Sequence, residues 1–122
     1  IMLDVDGLKD LNDTHGHAAG DLALRELVLR SQSCLGAGEY IARLSGDEFA
    51  VFLPGTDEAG ARDVIRAIKQ RLEASPVPSL GVHVSASFGI ATTAGGVPSL
   101  SALLQAADQA MYADKRARRR SP

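Results

Sequence analysis

Tyr40-Ile41-Ala42-Arg43-Leu44-Ser45-Gly46-Asp47-Glu48-Phe49-Ala50-Val51-Phe52-Leu53 is the stretch that decides the fold. Two short apolar runs, 40–44 and 49–53, flank a Ser/Gly turn and close at Pro54-Gly55, which predicts a β-hairpin. The turn carries two acids, Asp47 and Glu48, whose mutual repulsion costs stability unless water or a cation relieves it. A second acidic cluster, Asp4-Val5-Asp6, ends the apolar start of the chain. Two carboxylate-bearing strand ends suggest an oxygen site for Mg²⁺, which takes one or two carboxylates and completes its shell with phosphates and water. Taken alone, an acid pair on a turn is ordinarily a solvated hairpin tip, so its weight comes from what accompanies it.

Outward from the hairpin, residues 1–5 read as a buried strand, with Ile1, Leu3 and Val5 on one face and Asp4 beside Met2 on the other. Asp6 is placed to cap a short helical turn, Gly7–Leu11, and a polar segment, 12–20, follows. Leu22, Leu24, Leu27, Val28 and Leu35 recur at helical spacing and predict an amphipathic helix from about Asp21 to Cys34, ended by Gly36-Ala37-Gly38. Thr56 opens a second helix with Ala59, Val64, Ile65, Ile68 and Leu72 on its apolar face, and Ser75-Pro76 stops it. Val82, Val84, Ala86 and Phe88 alternate with His83, Ser85 and Ser87, the pattern of a half-buried strand. Ser99 caps a last helix with Leu100, Leu103, Leu104, Ala107 and Met111. The predicted order, β-α-β-β-α-β-α, is an α+β fold of palm-like or ferredoxin-like layout: a mostly antiparallel sheet with flanking helices. No internal repeat or low-complexity tract is present.

At 122 residues the chain forms one domain, 1–122, with room for a single core. A net charge of −2 gives no reason to expect nucleic acid as a partner. The basic residues that do cluster, Lys115-Arg116 and Arg118-Arg119-Arg120, sit at the very end. One cysteine, Cys34, excludes an internal disulfide, and no His or acid beside it suggests reactivity. With no signal peptide and no run as long as a membrane span, the expected location is cytoplasmic, although the parent protein can still be tethered to a membrane. The chain opens on Ile1-Met2-Leu3, already inside a strand, as expected of a fragment lacking its natural N-terminal part.

Four separated blocks then carry a resemblance. They are Asp4-Val5-Asp6 with Lys9, Asn12-Asp13, Gly16-His17 and Gly20-Asp21; Arg43-Leu44-Ser45-Gly46-Asp47-Glu48-Phe49; Ser87-Phe88-Gly89-Ile90-Ala91; and Ala107-Asp108 with Ala110-Met111-Tyr112 and Lys115. Through essentially its whole length the chain resembles a GGDEF domain, the catalytic domain of diguanylate cyclases. The resemblance implies condensation of two GTP into cyclic di-GMP with release of pyrophosphate, by attack of one ribose 3′-hydroxyl on the α-phosphorus of the other nucleotide. It implies Mg²⁺ (or Mn²⁺) held by Asp4, the Val5 carbonyl and Asp47, with Asp47 also a general base and Glu48 helping to bind a second ion. Lys9 is implied at the triphosphate, where an ammonium stabilises phosphoryl transfer. Asn12, His17 and Asp21 match positions that contact guanine, whose edge offers N–H donors beside an acceptor; Asp21 in particular favours GTP over ATP. Gly46 is the glycine that lets phosphate approach the hairpin, and Lys115 and Arg119, four apart on one helix face, match a pair on the outer phosphates.

Plain structural readings stand beside these. Lys9 is also a solvated lysine, Asn12 a turn residue, His17 loop surface and Asp21 a first-turn acid, while Lys115 and Arg119 are cations at a helix C-terminus. Three departures from the family pattern are visible. Ser45 replaces the first glycine of the motif, with crowding of the turn expected. Gly36-Ala37-Gly38-Glu39 stands where many members carry an inhibitory Arg-x-x-Asp product site. The family's N-terminal helix, with its Asp-x-Leu-Thr-Gly-Leu stretch, is absent from this sequence, with an expected loss of stability. The implied partners are GTP, a second copy in a catalytic homodimer, and an upstream sensory or regulatory domain. Two rival readings remain at this point: a weak or inactive domain serving as a GTP-binding regulatory module, and a pure interaction domain.

Overall fold

The computed structural model describes residues 1–96 and 99–120, with side chains as far as Arg118. Its elements are β1 (Met2–Val5), α1 (Leu8–His15), α2 (His17–Gln32), β2 (Tyr40–Arg43), β3 (Glu48–Phe52), α3 (Glu58–Ala74), β4 (Ala86–Gly89) and α4 (Leu100–Arg120). The sheet runs β2-β3-β1-β4, and every neighbouring pair is antiparallel. The hairpin forms as its pattern predicts: Tyr40 pairs with Phe52 and their rings stack with centroids 5.0 Å apart.

Strand alternation sorts the core into two layers. Leu3, Val5, Phe49, Val51, Ala86 and Phe88 pack against Ala23, Leu24 and Leu27 of α2 and Ile68 and Leu72 of α3. Met2 and Ala50 face the other way, onto Ala107 and Met111 of α4. Helix α4 rides unusually close to β4. A Cβ built on Gly89 would fall 2.2 Å from both the Ala107 carbonyl oxygen and the Met111 nitrogen, so only glycine allows this approach.

Polar side chains fix the helices. Arg30 of α2 donates to the carbonyls of Arg71 (3.0 Å), Ser75 (2.7 Å) and Pro76 (3.2 Å), satisfying groups that the end of α3 would otherwise leave open. Asp57 caps α3 by accepting from the Gly60 N–H at 2.8 Å, and Ser99 caps α4 through the Ala102 N–H at 3.1 Å. At the sheet's edge, the Phe88 N–H donates to Asp114 of α4 at 2.9 Å.

Several expectations need correction. The first helical segment is longer than a turn, and the polar stretch 12–20 is mostly helical: α1 reaches His15 and α2 already starts at His17. The break between them is Gly16 at φ +95°, a conformation that L side chains rarely adopt. The short α1 carries only Leu8 and Leu11 onto the core among otherwise polar residues, so it reads as a single turn. Asp6 caps nothing. The residue before α1 is Gly7, without a side-chain cap, and the Asp6 carboxylate instead accepts from Ser87 (2.5 Å) and Ser85 (3.1 Å) and pairs with Arg118 at 2.7 Å. Helix α3 is capped by Asp57 rather than Thr56, and Ala59 is exposed. The last strand is only Ala86–Gly89 and is buried throughout, because α4 covers the face that Ser87 and Gly89 present. Leu100 is exposed instead of joining the apolar face of α4.

Candidate active site

The ends of β1 and β3 bring the two acid clusters together. Asp4 and Glu48 stand directly opposite each other in the β1–β3 ladder, and Asp47, one residue before β3, acts electrostatically on both. The turn that presents them is closed by backbone bonds: Leu44 N–H to the Glu48 carbonyl at 2.9 Å, and Ser45 and Glu48 to each other at 3.3 and 3.4 Å. Arg43 braces it from the side. Its guanidinium donates to the carbonyls of Ser45 and Gly46 and lies over the Phe49 ring at 5.8 Å. Ser45, in place of the family's first glycine, is exposed on this turn. At Gly46 a Cβ would meet nothing within 4 Å, which leaves open space beside the turn.

Helix α4 completes the cluster from beneath. Asp108, Met111 and Lys115 lie at i, i+3 and i+7, on one face. Met111 is buried, Lys115 Nζ reaches Asp4 Oδ2 at 3.0 Å, and Asp108 faces Glu48. Burial raises the Asp4 pKa above its ordinary value; Lys115 opposes this and the nearby Asp47 and Asp6 charges add to it. Glu48 is pushed up to about 7, first by burial, then by its contact with Asp108 and that group's charge, then by Asp4 and Asp47. One oxygen of Asp4 (Oδ1) and one of Asp108 (Oδ1) are buried with no hydrogen-bond partner among the described residues. A buried carboxylate oxygen left this way is a position that a cation fits. Among the described residues no three acid, His or Cys side chains gather tightly enough to enclose an ion by themselves. This donor set suits an ion that draws part of its shell from a ligand's phosphates and from water.

The other expected site residues are arranged around this centre. Val5 buries its side chain in the core, so only its backbone is available to a ligand. Lys9 lies on α1, exposed and in none of the ion pairs of the described residues. Asn12 is already engaged: its Oδ1 accepts from the Gly20 N–H at 2.7 Å, clasping α1 to α2. A Cβ on Gly20 would strike that amide at 2.5 Å, so the pair is matched in size. His17 begins α2 and is exposed. Asp21 is exposed at the mouth of a groove of about 560 Å³ that Leu24, Val28, Ile41 and Phe49 also line. Arg119 falls within α4, but its side chain lies outside the described residues. Its neighbour Arg118 makes the contacts seen there, to Asp6 at 2.7 Å and to Asp114 at 3.8 Å. Sequence reading gave Asp108 no role, although the i, i+3, i+7 spacing to Lys115 was visible.

Comparison with known proteins agrees with this geometry. The family described as "Diguanylate cyclase, GGDEF domain" matches residues 1–121. The chain is 33% identical over 117 residues to diguanylate cyclase A of Treponema denticola, covering 94% of this chain and 32% of that protein. It is 35% identical over 119 residues to the response regulator PleD of Caulobacter vibrioides, covering 94% of this chain and 26% of that protein. It thus spans about a quarter to a third of the length of these relatives. Among solved structures, the GGDEF domain of PA1120 from Pseudomonas aeruginosa superposes with a TM-score of 0.88 at 38% identity, covering 95% of this chain and 74% of that one. A match that runs almost end to end, on a fold this near to a solved GGDEF domain, leaves one assignment: the chain belongs to the GGDEF domain family.

Proposed function

We propose that this domain is a diguanylate cyclase module, joining two GTP molecules into cyclic di-GMP with release of pyrophosphate. The observation that carries the reading is the Asp4–Glu48 pair with Asp47 beside it, at a strand end where one Asp4 oxygen lacks a partner. Asp4, Asp47 and the Val5 carbonyl would hold Mg²⁺ or Mn²⁺, with Glu48 beside a second ion. When bound, such an ion neutralises phosphate charge and lowers the barrier to deprotonating the attacking hydroxyl. Asp47, half-buried and next to open space at Gly46, would take that proton. Lys9, Lys115 and Arg119 supply positive charge for the triphosphate. The Asn12 amide nitrogen, Asp21 and His17 meet the guanine, with the Asp21 carboxylate accepting from its N–H groups.

The acid cluster opens to solvent along the exposed Ser45-Gly46 turn. One such half-site holds one nucleotide, so joining two calls for a second copy in a two-fold homodimer. An upstream regulatory domain and a cytoplasmic location complete the reading. No described helix is long and apolar enough to cross a membrane. The test is incubation of the parent protein with GTP and Mg²⁺ and identification of products by mass. Cyclic di-GMP and pyrophosphate are expected, and Asp47→Asn and Asp4→Asn should each abolish them while metal-free GTP binding changes less. Wild-type turnover by Asp47→Asn would remove the metal role from that residue.

A further inference from the structure

The contact between Lys115 and Asp4 carries a second conclusion. Lys115 was expected at the phosphates of a nucleotide. Instead its ammonium sits 3.0 Å from Asp4 Oδ2, with the lysine and aspartate side chains only 17% and 13% exposed. The other charged groups that act on that carboxylate are acids: Glu48 across the ladder, Asp47 on the turn and Asp6 two residues on. Removing water from such a group is costly unless a cation is supplied, and here the protein supplies its own. One side chain therefore faces two incompatible partners, a carboxylate that a divalent ion also needs and the triphosphate of the proposed substrate.

We propose that Lys115 is a stand-in cation: in the nucleotide-free domain it neutralises Asp4, and an arriving triphosphate draws it away and so opens Asp4 to the divalent ion. This rests on the GTP reading above. The arrangement couples the two ligands, because whichever one moves Lys115 lowers the cost of binding the other. It also keeps the empty site from trapping free divalent ions.

Mn²⁺ binding to the purified full chain, followed by the loss of the free-ion electron paramagnetic signal, tests the resting contact without nucleotide. At pH 8, Lys115→Met and Lys115→Gln should each bind Mn²⁺ roughly tenfold tighter than the unmodified protein, since a competing charge at contact distance is gone. Lys115→Arg, which keeps the charge, and Arg116→Met, which removes one from an exposed neighbouring position, should stay within about twofold. A GTP analogue with a methylene between the α- and β-phosphorus should tighten Mn²⁺ binding in the unmodified protein, and by about tenfold less in Lys115→Met. Mn²⁺ affinity in both neutral Lys115 variants no higher than in Arg116→Met would overturn the proposal. An unmodified protein that does not bind the analogue would overturn the guanosine reading and the coupling with it, while the nucleotide-free comparison still decides the resting contact.

Discussion

Desolvation of Glu48 at the end of the sheet, reinforced by the Asp108 carboxyl set against it, has a consequence that can be measured. The Glu48 pKa rises from 4.5 to about 7, so between these values the folded domain keeps a proton that the unfolded chain has released. Stability from this group is therefore fully present below about pH 4.5 and is lost as pH climbs through 7. Thermal unfolding of the metal-free domain should show a midpoint that falls across this window. Glu48→Gln should flatten that fall, because a neutral amide carries no proton to lose. A slope unchanged in Glu48→Gln would assign the titration to another group. Asp6 makes the complementary point at the same scale. Its neighbours in sequence suggested a helix cap, yet its partners are Ser85, Ser87 and Arg118, which no local pattern could nominate.

Helix α4 is the element on which the site depends, since Asp108 and Lys115 both stand on it. Its height above the sheet is set by Gly89. In Gly89→Ala the added methyl would meet backbone atoms of Ala107 and Met111, which cannot swing aside as a side-chain tip can. Overpacking of this kind costs about 1–3 kcal/mol or more. The urea midpoint should drop accordingly, and the proposed cyclase activity should fall further than stability alone explains, because lifting α4 also moves Asp108 and Lys115 out of register with the acid cluster and with an incoming triphosphate. A variant as stable and active as the parent would show that α4 is free to shift. The elements themselves were largely legible. The hairpin and α3 announced themselves through alternation and helical spacing, α4 also through its Ser99 cap, and the acid-bearing strand ends were found from residue type alone. What escaped was the α1–α2 break, a glycine between a short, mostly polar helix and the next one, and the pairing of Asp108 with Glu48. That pairing depends on how α4 lies across the sheet, a long-range fact that local spacing does not encode.

At the scale of the whole molecule, the proposed reaction makes this sheet one half-site that acts with a second copy. The chain's sequence departs from that of family members bearing the product site, which predicts a different response to product. In the turn before β2, the Glu39 carboxylate folds back to accept the Gly36 N–H at 2.7 Å, and Gly36 and Glu39 hold the two positions where an Arg-x-x-Asp pair would grip a product. Initial rates should stay flat as cyclic di-GMP is added; potent noncompetitive inhibition would mean a product site built elsewhere. The bond between Phe88 and Asp114 bears on a different hazard. β4 is the last strand on its side, and sheets with open margins recruit further strands until they polymerise. The Phe88 amide that would greet an incoming strand is already taken by a carboxylate from α4. In the proposed two-copy reaction, copies held close together would meet this margin with the Phe88 amide already engaged, which disfavours fusion of their sheets there into an aggregate.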